Sequence, residues 1–255
     1  GMNALCSNTT GGNNTAMGFG SLLCNTTGSC NTASGYRSMF YNTTGAANTA
    51  VGRASLEKNT IGLNNVAIGN RALFTNTTGS CNVAVGAAAL ENATTAVCNT
   101  AIGSYALISN TTGQLNTALG AIAGYLITTG GHNVSIGART LCSTTTASYN
   151  VAVGSDALRN NTCSGNTAVG YAALLLNTTG TQNNAFGANS LSACTTGNYN
   201  CAFGQASLNS LTTGTDNCAF GDNALQFGTT GGANIGIGTS ALRNCTTGGN
   251  ISIGY

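Results

Sequence analysis

The chain has 255 residues, which is 15 × 17, and carries only 12 charged side chains, no Pro, no Trp and 37 Gly. A net charge of +2 over that length leaves no basic footprint for nucleic acid or an anionic membrane. Charged residues make up 5% of the chain, far below the roughly 25% of ordinary soluble domains, yet no apolar run approaches the roughly 18 residues of a spanning helix.

The length factorises because the sequence repeats. An Asn-x-small-apolar-Gly cassette starts at Asn14, Asn31, Asn48, Asn65, Asn82, Asn99, Asn116, Asn133, Asn150, Asn166, Asn183, Asn200, Asn217, Asn234 and Asn250. Successive starts are 17 residues apart, except for two spacings of 16, Asn150 to Asn166 and Asn234 to Asn250. One repeat reads Asn-Thr-Ala-Val-Gly-x-x-Ala-Leu-x-x-Asn-Thr-Thr-Gly-x-x, and its columns are numbered here as positions 1 to 17. Such a period is too short for a helical hairpin and too long for a heptad. It suits one coil of a parallel β-solenoid with two short strands and two turns. Glycine at position 5 and β-branched threonine at position 13 disfavour helix independently. The fold predicted is all-β, a single uninterrupted parallel β-solenoid of about 15 coils over residues 1–255.

Along one coil the elements follow in order. Asn at position 1 occurs in all 15 cassettes, as at Asn14, Asn31 and Asn48, and stacked amides can bond up and down such a column. Positions 2 to 4 alternate faces as a strand. Position 4 is apolar in every coil but one (Met17, Val51, Ile68 and Phe203 among them, Ser34 the exception) and is expected to be the core column. Position 3 is only ever Ala, Ser or Gly, so something approaches that face closely: the opposite wall of a narrow coil, or a neighbouring chain. Gly18, Gly35 and Gly52 represent position 5, where a positive φ or a close crossing is expected to close the strand. Position 9, mostly Leu, is a second core column. All 12 charges fall at positions 6, 7, 10, 11 and 17, which are therefore expected to be wet edges. Threonine fills position 13 throughout, as at Thr26 and Thr43, inside an Asn-Thr-Thr-Gly turn ending in a second, less strict glycine column.

The 11 cysteines gain order on this frame. Cys81 and Cys98 share position 17 in neighbouring coils, and Cys201 and Cys218 share position 2. A spacing of ~4.8 Å between stacked strands lies inside the Cα range of a disulfide, so these pairs are the expected vertical staples. Small buried cysteines replacing Thr or Val are the alternative for Cys201 and Cys218. No Cys-x-x-Cys and a single histidine, His132, argue against zinc. Neither a nucleophile elbow, a phosphate loop nor a His-Glu-x-x-His helix is present, and near-identical coils present columns of like groups rather than convergent unlike ones. The chain is read as a non-enzyme without cofactor or metal. Asn-x-Ser/Thr patterns at Asn8, Asn25, Asn42 and elsewhere would mark glycosylation in a eukaryotic secretory setting, though most arise from the Asn-Thr-Thr-Gly turn itself.

Asn-Thr-Ala-Val-Gly followed by Ala-Leu and Asn-Thr-Thr-Gly, as in 166–180, resembles the head repeats of YadA-like trimeric autotransporter adhesins and related repeats in phage and viral tail fibres. The resemblance covers the whole chain. It implies a parallel β-roll, three chains side by side, and an adhesive shaft or head at a cell or virion surface. The period of 17 is longer than in those heads, and no stalk, coiled coil or anchor is present in these residues. The leading expectation is a structural component of an extracellular fibre, a rigid solenoid that assembles with itself side by side or end to end. On this expectation the chain is a slice of a longer array. The alternatives are an attachment fibre binding a host-surface or glycan receptor, and an ice-binding solenoid whose outward threonines would have to stay regular.

Overall fold

A computed structural model describes all 255 residues, and its only regular elements are fifteen strands of three residues, one per cassette. No helix is long and apolar enough to cross a membrane. The chain forms two compact units, Gly1–Gly131 and His132–Tyr255. The first holds β1 to β7, from Thr15–Met17 to Thr117–Leu119, and the second holds β8 to β15, from Val134–Ile136 to Ile251–Ile253. Within each unit every strand pairs in parallel with the next, one coil on, as Thr32 with Thr49 and Ala33 with Ala50. This is the β-solenoid that the period predicts. The two short coils keep register, Thr167 against Val151, and both close on a glycine, Gly165 at φ 79° and Gly249 at φ 78°.

Only positions 2 to 4 form a strand; the second strand expected in each coil is a bend. Its backbone is laddered all the same: Leu56 N–H donates to Ala72 O at 2.9 Å and Lys58 N–H to Phe74 O at 3.1 Å. The bend is made by positive φ at positions 5, 7 and 9, of which only position 5 is regularly glycine. Leu56, Leu73 and Leu90 sit at φ 51°, 53° and 50°, a left-handed conformation costing roughly 1–2 kcal/mol for a residue with a Cβ. Each of these side chains is fully buried, which contributes about 1.5–3 kcal/mol, so burial outweighs strain and leucine stays. The exception supports the balance. Gly124 takes position 9 at φ 62°, and an added Cβ there would lie 3.1 Å from Ile127 Cδ1: Ile127, standing where other coils have Asn, fills the space that leucine vacates.

The interior corrects one expectation. Position 3 faces the lumen and position 4 faces out: Ala33, Ala50, Ala67 and Ala84 are fully buried, whereas Val51 and Ile68 are about two-fifths exposed. The narrow coil is the reason. Position 3 packs directly against the position 9 leucine, so a Cβ built on Gly236 would already be 3.3 Å from Leu225 Cγ and 3.1 Å from the Ala241 carbonyl. Of the two answers open for the small column, the wall of its own coil is correct. The resulting core is a rod of Ala and Leu in each unit, from Leu22 to Ile127 in the first and from Leu141 to Leu225 in the second.

Two columns of buried asparagine tie coil to coil. At position 1, Asn31 Oδ1 accepts the Asn48 N–H at 3.0 Å, while Asn31 Nδ2 crosses to the Gly45 carbonyl at 2.8 Å. Asn14 accepts from Asn31 N–H in the same way. Position 12 forms an amide-to-amide ladder instead, Asn42 Nδ2 to Asn25 Oδ1 at 2.7 Å and Asn59 Nδ2 to Asn42 Oδ1 at 2.6 Å. A side-chain oxygen in this ladder is satisfied only if the next coil also supplies Asn. Three oxygens are left without partners, on Asn76, Asn110 and Asn177, and the next residues in their column are Ala93, Ile127 and Cys194.

The glycine columns have different causes. Gly52 at position 5 has φ 131°, and a Cβ would lie 2.6 Å from the Gly69 carbonyl, so conformation and crowding both demand glycine. At position 15 crowding alone acts: a Cβ on Gly28 would collide with the Gly45 carbonyl of the next coil and would meet Asn25 Oδ1 of its own coil at 2.6 Å. Position 15 is Ala96 and Ala147 in coils whose position 12 is Ala93 and Thr144 rather than Asn, and it is Ser164 beside Asn161 in the short coil that closes on Gly165.

Two predictions follow from this interior. Ala93→Asn alone is expected to destabilise by clashing with the Ala96 Cβ, while Ala93→Asn with Ala96→Gly restores the ladder and satisfies Asn76 Oδ1. Unfolding midpoints of the two single variants and the double should show coupling of about 1–3 kcal/mol, and simple additivity would refute the ladder account. Separately, Leu90→Ala is expected to cost about 2–5 kcal/mol, whereas Ile68→Ala costs about 0.5 kcal/mol; a reversed order would restore position 4 to the core.

Candidate functional site

Within each unit the coil interior is filled by buried side chains, so what the molecule offers to a partner is surface. Because position 3 points inward, positions 2 and 4 of every coil point out together, on the outer face of the sheet. In the first unit this face carries Val66, Ile68, Val83, Val85 and Ile102 with Thr32, Thr49 and Thr100. In the second it carries Val134, Ile136, Val151, Val153, Phe186, Phe203, Phe220 and Ile237. Ile68 is 40% exposed and Ile237 is 39%. None of the 12 charged residues lies at position 2 or 4 in any coil. Each unit therefore presents a charge-free, apolar and threonine-bearing strip, one strand wide and repeated at the strand spacing. The rings of Phe186, Phe203 and Phe220 stack at 4.6 and 4.8 Å with planes within 3°, which flattens that stretch.

The charges sit on the bends, and seven of the 12 form ion pairs there, namely Arg37, Glu57, Arg71, Glu91, Arg139, Asp156 and Arg159. Arg37 Nη2 meets Glu57 Oε1 at 2.8 Å, one coil on, and its guanidinium lies 4.3 Å from the Phe40 ring centroid. Two coils later the arrangement repeats, Arg71 Nε on Glu91 Oε1 at 2.8 Å with the guanidinium 4.2 Å from Phe74. In the second unit Arg139 grips Asp156 with two bonds, Nε to Oδ1 at 2.8 Å and Nη2 to Oδ2 at 2.7 Å. The acids are the buried partners, Glu57 at 8% and Asp156 at 6% exposure, so positions 7 and 10 are not uniformly the wet edges expected of them. The Arg139 hydrogen bonds hold the Asp156 carboxyl below the usual carboxylate value against the opposing effect of burial. A depressed acid stabilises the fold above its unfolded value and loses that contribution as pH falls toward its folded value.

The sequence-predicted residues are placed as follows. Asn14, Asn31 and Asn48 form the position 1 ladder. Gly18, Gly35 and Gly52 all have φ between 120° and 144°. Thr26 Oγ1 donates to the Thr43 carbonyl at 3.1 Å and Thr43 Oγ1 to Thr60 O at 3.0 Å, so the most regular threonine column turns its hydroxyls onto the backbone rather than offering them to ice. Asn25, Asn42, Asn76, Asn110 and Asn177, each followed by Thr-Thr, are fully buried, and a glycan on any of them is incompatible with the fold. All eleven cysteines are free thiols in this structure, so neither expected staple is closed in it. Cys201 and Cys218 are nonetheless register partners in adjacent strands, while Cys81 and Cys98 are exposed on bend residues at φ 60° and 57°. The Cα spacing alone was an incomplete criterion: parallel strands point their Cβ atoms the same way, at about the same ~4.8 Å, beyond the roughly 3.5–4.5 Å of an unstrained bond.

One feature escaped the sequence reading. Phe19 and Tyr36 stack at 5.5 Å with planes 12° apart, and both they and Tyr41 are exposed, an aromatic patch in the first unit. Its signal was present, since Phe19 and Tyr36 share position 6 in neighbouring coils. No group of three or more His, Cys, Asp or Glu could hold a metal ion. Comparison with protein-family models, with curated proteins and with solved structures returned no match.

Asp156 provides the electrostatic test. Wild-type protein is expected to lose stability on acidification below about pH 4, through the carboxylate range, more steeply than Asp156→Asn. Chemical-unfolding midpoints from pH 6 to 2.5 measure this, and parallel profiles would show that the Arg139 pair contributes nothing.

Proposed function

We propose that the chain is a structural, self-associating solenoid whose outer sheet face is its assembly surface, a component of an extracellular or surface fibre. The observation that carries this reading is the charge-free face at positions 2 and 4 in both units. Side chains such as Val85, Ile102 and Phe220 could be Thr, Ser or Lys there at little cost to an isolated coil, because the core lies on the other side of the strand. Exposed apolar strips of this extent mark association surfaces in soluble proteins. A second copy of the same face has the same ~4.8 Å repeat, so its rows can interdigitate coil for coil, as no aperiodic partner surface can. Resemblance to adhesin-head repeats supports the same reading and adds a surface location and a side-by-side arrangement of chains.

A second reading, attachment to a host-surface glycan, draws on the Phe19, Tyr36 and Tyr41 patch, since exposed rings are what a sugar face stacks on. It is compatible with the first, with the patch lying on bends and the assembly face on the sheet.

Sedimentation of the full chain tests the leading reading. Wild type is expected to be oligomeric at micromolar concentration, and Ile68→Lys with Ile237→Lys to be monomeric with an unchanged circular dichroism spectrum. Thr27→Lys, on an exposed turn, is the control expected to leave assembly intact. Monomeric wild type throughout the concentration range, or assembly indifferent to the two lysines, would sink the proposal.

A further inference from the structure

Two thiols stand one above the other on the outer face of the second unit. Cys201 opens β12 (Cys201–Phe203) and Cys218 opens β13 (Cys218–Phe220), and the parallel ladder makes them register partners. Two residues further along the same face, Phe203 and Phe220 stack with ring centroids 4.8 Å apart and planes within 2°. Inward, Ala202 and Ala219 are fully buried. A slip of one residue would turn both rings into the lumen and the alanines out, so the register that aligns the thiols is fixed from both sides.

The Cα separation of adjacent strands, ~4.8 Å, is compatible with a disulfide, and the Cβ separation exceeds the unstrained range by only a few tenths of an ångström. A small twist of two three-residue strands closes that gap. The strain that remains makes the bond easily reduced, which suits a pair that exists as thiols in one condition and as a disulfide in another. We infer that Cys201 and Cys218 form a reversible intrachain redox pair, a modification site that takes a low-molecular-weight disulfide as its oxidant.

The reaction balances as two exchanges. The thiolate of one cysteine attacks a sulfur of R–S–S–R and releases R–S⁻, leaving a mixed disulfide. The thiolate of the other attacks the protein sulfur of that intermediate and releases the second R–S⁻. The two cysteines lose two electrons and two protons, and R–S–S–R gains both to become two R–SH. Burial, with a smaller effect from the neighbouring Cys218 thiol, pushes Cys201 above the ordinary cysteine value, so exchange through it quickens as pH rises. The other thiols of this unit are differently placed. Cys194, one coil before, points into the lumen on the Gly197 carbonyl, with burial pushing it up to about 11. Cys142, Cys163 and Cys245 have no cysteine in their own column one coil away. The chemistry is intrachain and does not depend on the assembly proposed for this face.

Oxidation of the reduced full chain with glutathione disulfide, followed by alkylation and peptide mapping, tests the inference. Trypsin leaves both cysteines in one peptide, since no Lys or Arg lies between Arg159 and Arg243; chymotrypsin cleaves between them, after Phe203 or Leu208. The expected result is a Cys201–Cys218 crosslink that dithiothreitol reverses, with neither of these two thiols alkylated before reduction, whatever glutathione adducts form on the exposed Cys6, Cys30, Cys81 and Cys98. Cys218→Ser should stop at one mixed disulfide on Cys201, and if that variant fails to fold, the wild-type crosslink decides alone. Full alkylation of both cysteines after oxidation, stable glutathione adducts on both, or peptide mapping that finds either of them crosslinked to another copy overturns it. A wild type that never self-associates but forms the crosslink defeats the assembly reading and leaves this one standing.

Discussion

Everything in this solenoid depends on a lumen whose width leaves only an alanine-sized space at position 3 once the position 9 leucine is in place. With the position 9 side chain in place, the facing strand can turn nothing larger than Ala or Ser inward, and a Cβ at position 3 already touches Leu225 in the one coil that lacks it. The remaining interior volume is occupied by asparagine, and a buried amide is tolerable only when its donors and its oxygen are paired. In this geometry the partner is the same residue in the next coil. Repetition of sequence is thus a physical requirement: Asn42 is satisfied because Asn25 and Asn59 flank it, and Asn76, followed by Ala93, has an orphan oxygen.

The same constraint explains some of the substitutions that break the repeat. Ala96 accompanies Ala93, and Ala147 accompanies Thr144, because a position 15 Cβ crowds the position 12 amide as well as the next coil's carbonyl. Gly124 accompanies Ile127, although Leu208 and Leu211 are both buried at the same two positions of another coil. Other departures stand alone, Cys194 and Leu211 at position 12 keeping Leu at position 9 and Gly at position 15, and the ladder tolerates the breaks at the level of single unsatisfied oxygens, each worth about 1–3 kcal/mol.

Polar chemistry, expelled from the lumen except as ladders, collects on the bends, where Arg37, Arg71 and Arg139 find their acids in the next coil. The sheet face is left with apolar and threonine side chains and two aligned thiols. A molecule that confines its charges to its edges and keeps a charge-free face is organised for lateral contact, and the self-association reading rests on that division of the surface. The bend aromatics Phe19, Tyr36 and Tyr41 stand apart from it as a second place for recognition.

Period, fold class, the parallel one-coil register, the inward leucine and the asparagine and glycine columns were all legible in the sequence, because a stacked solenoid maps each column of a 17-residue repeat onto one line in space. Alternation along Thr-Ala-Val was legible too. Which side of it faced in was not: Val51 and Ile68 are more apolar than Ala50 and Ala67, and hydrophobicity alone assigned the larger residues to the core. Only the tertiary structure decides this, because the lumen width is set by closure of the whole coil and excludes the side chains that composition would choose. For the same reason sequence could not foresee leucine at positive φ or acids such as Asp156 buried on a bend. A residue type states what it would gain from burial, but the closed backbone determines where there is room for it.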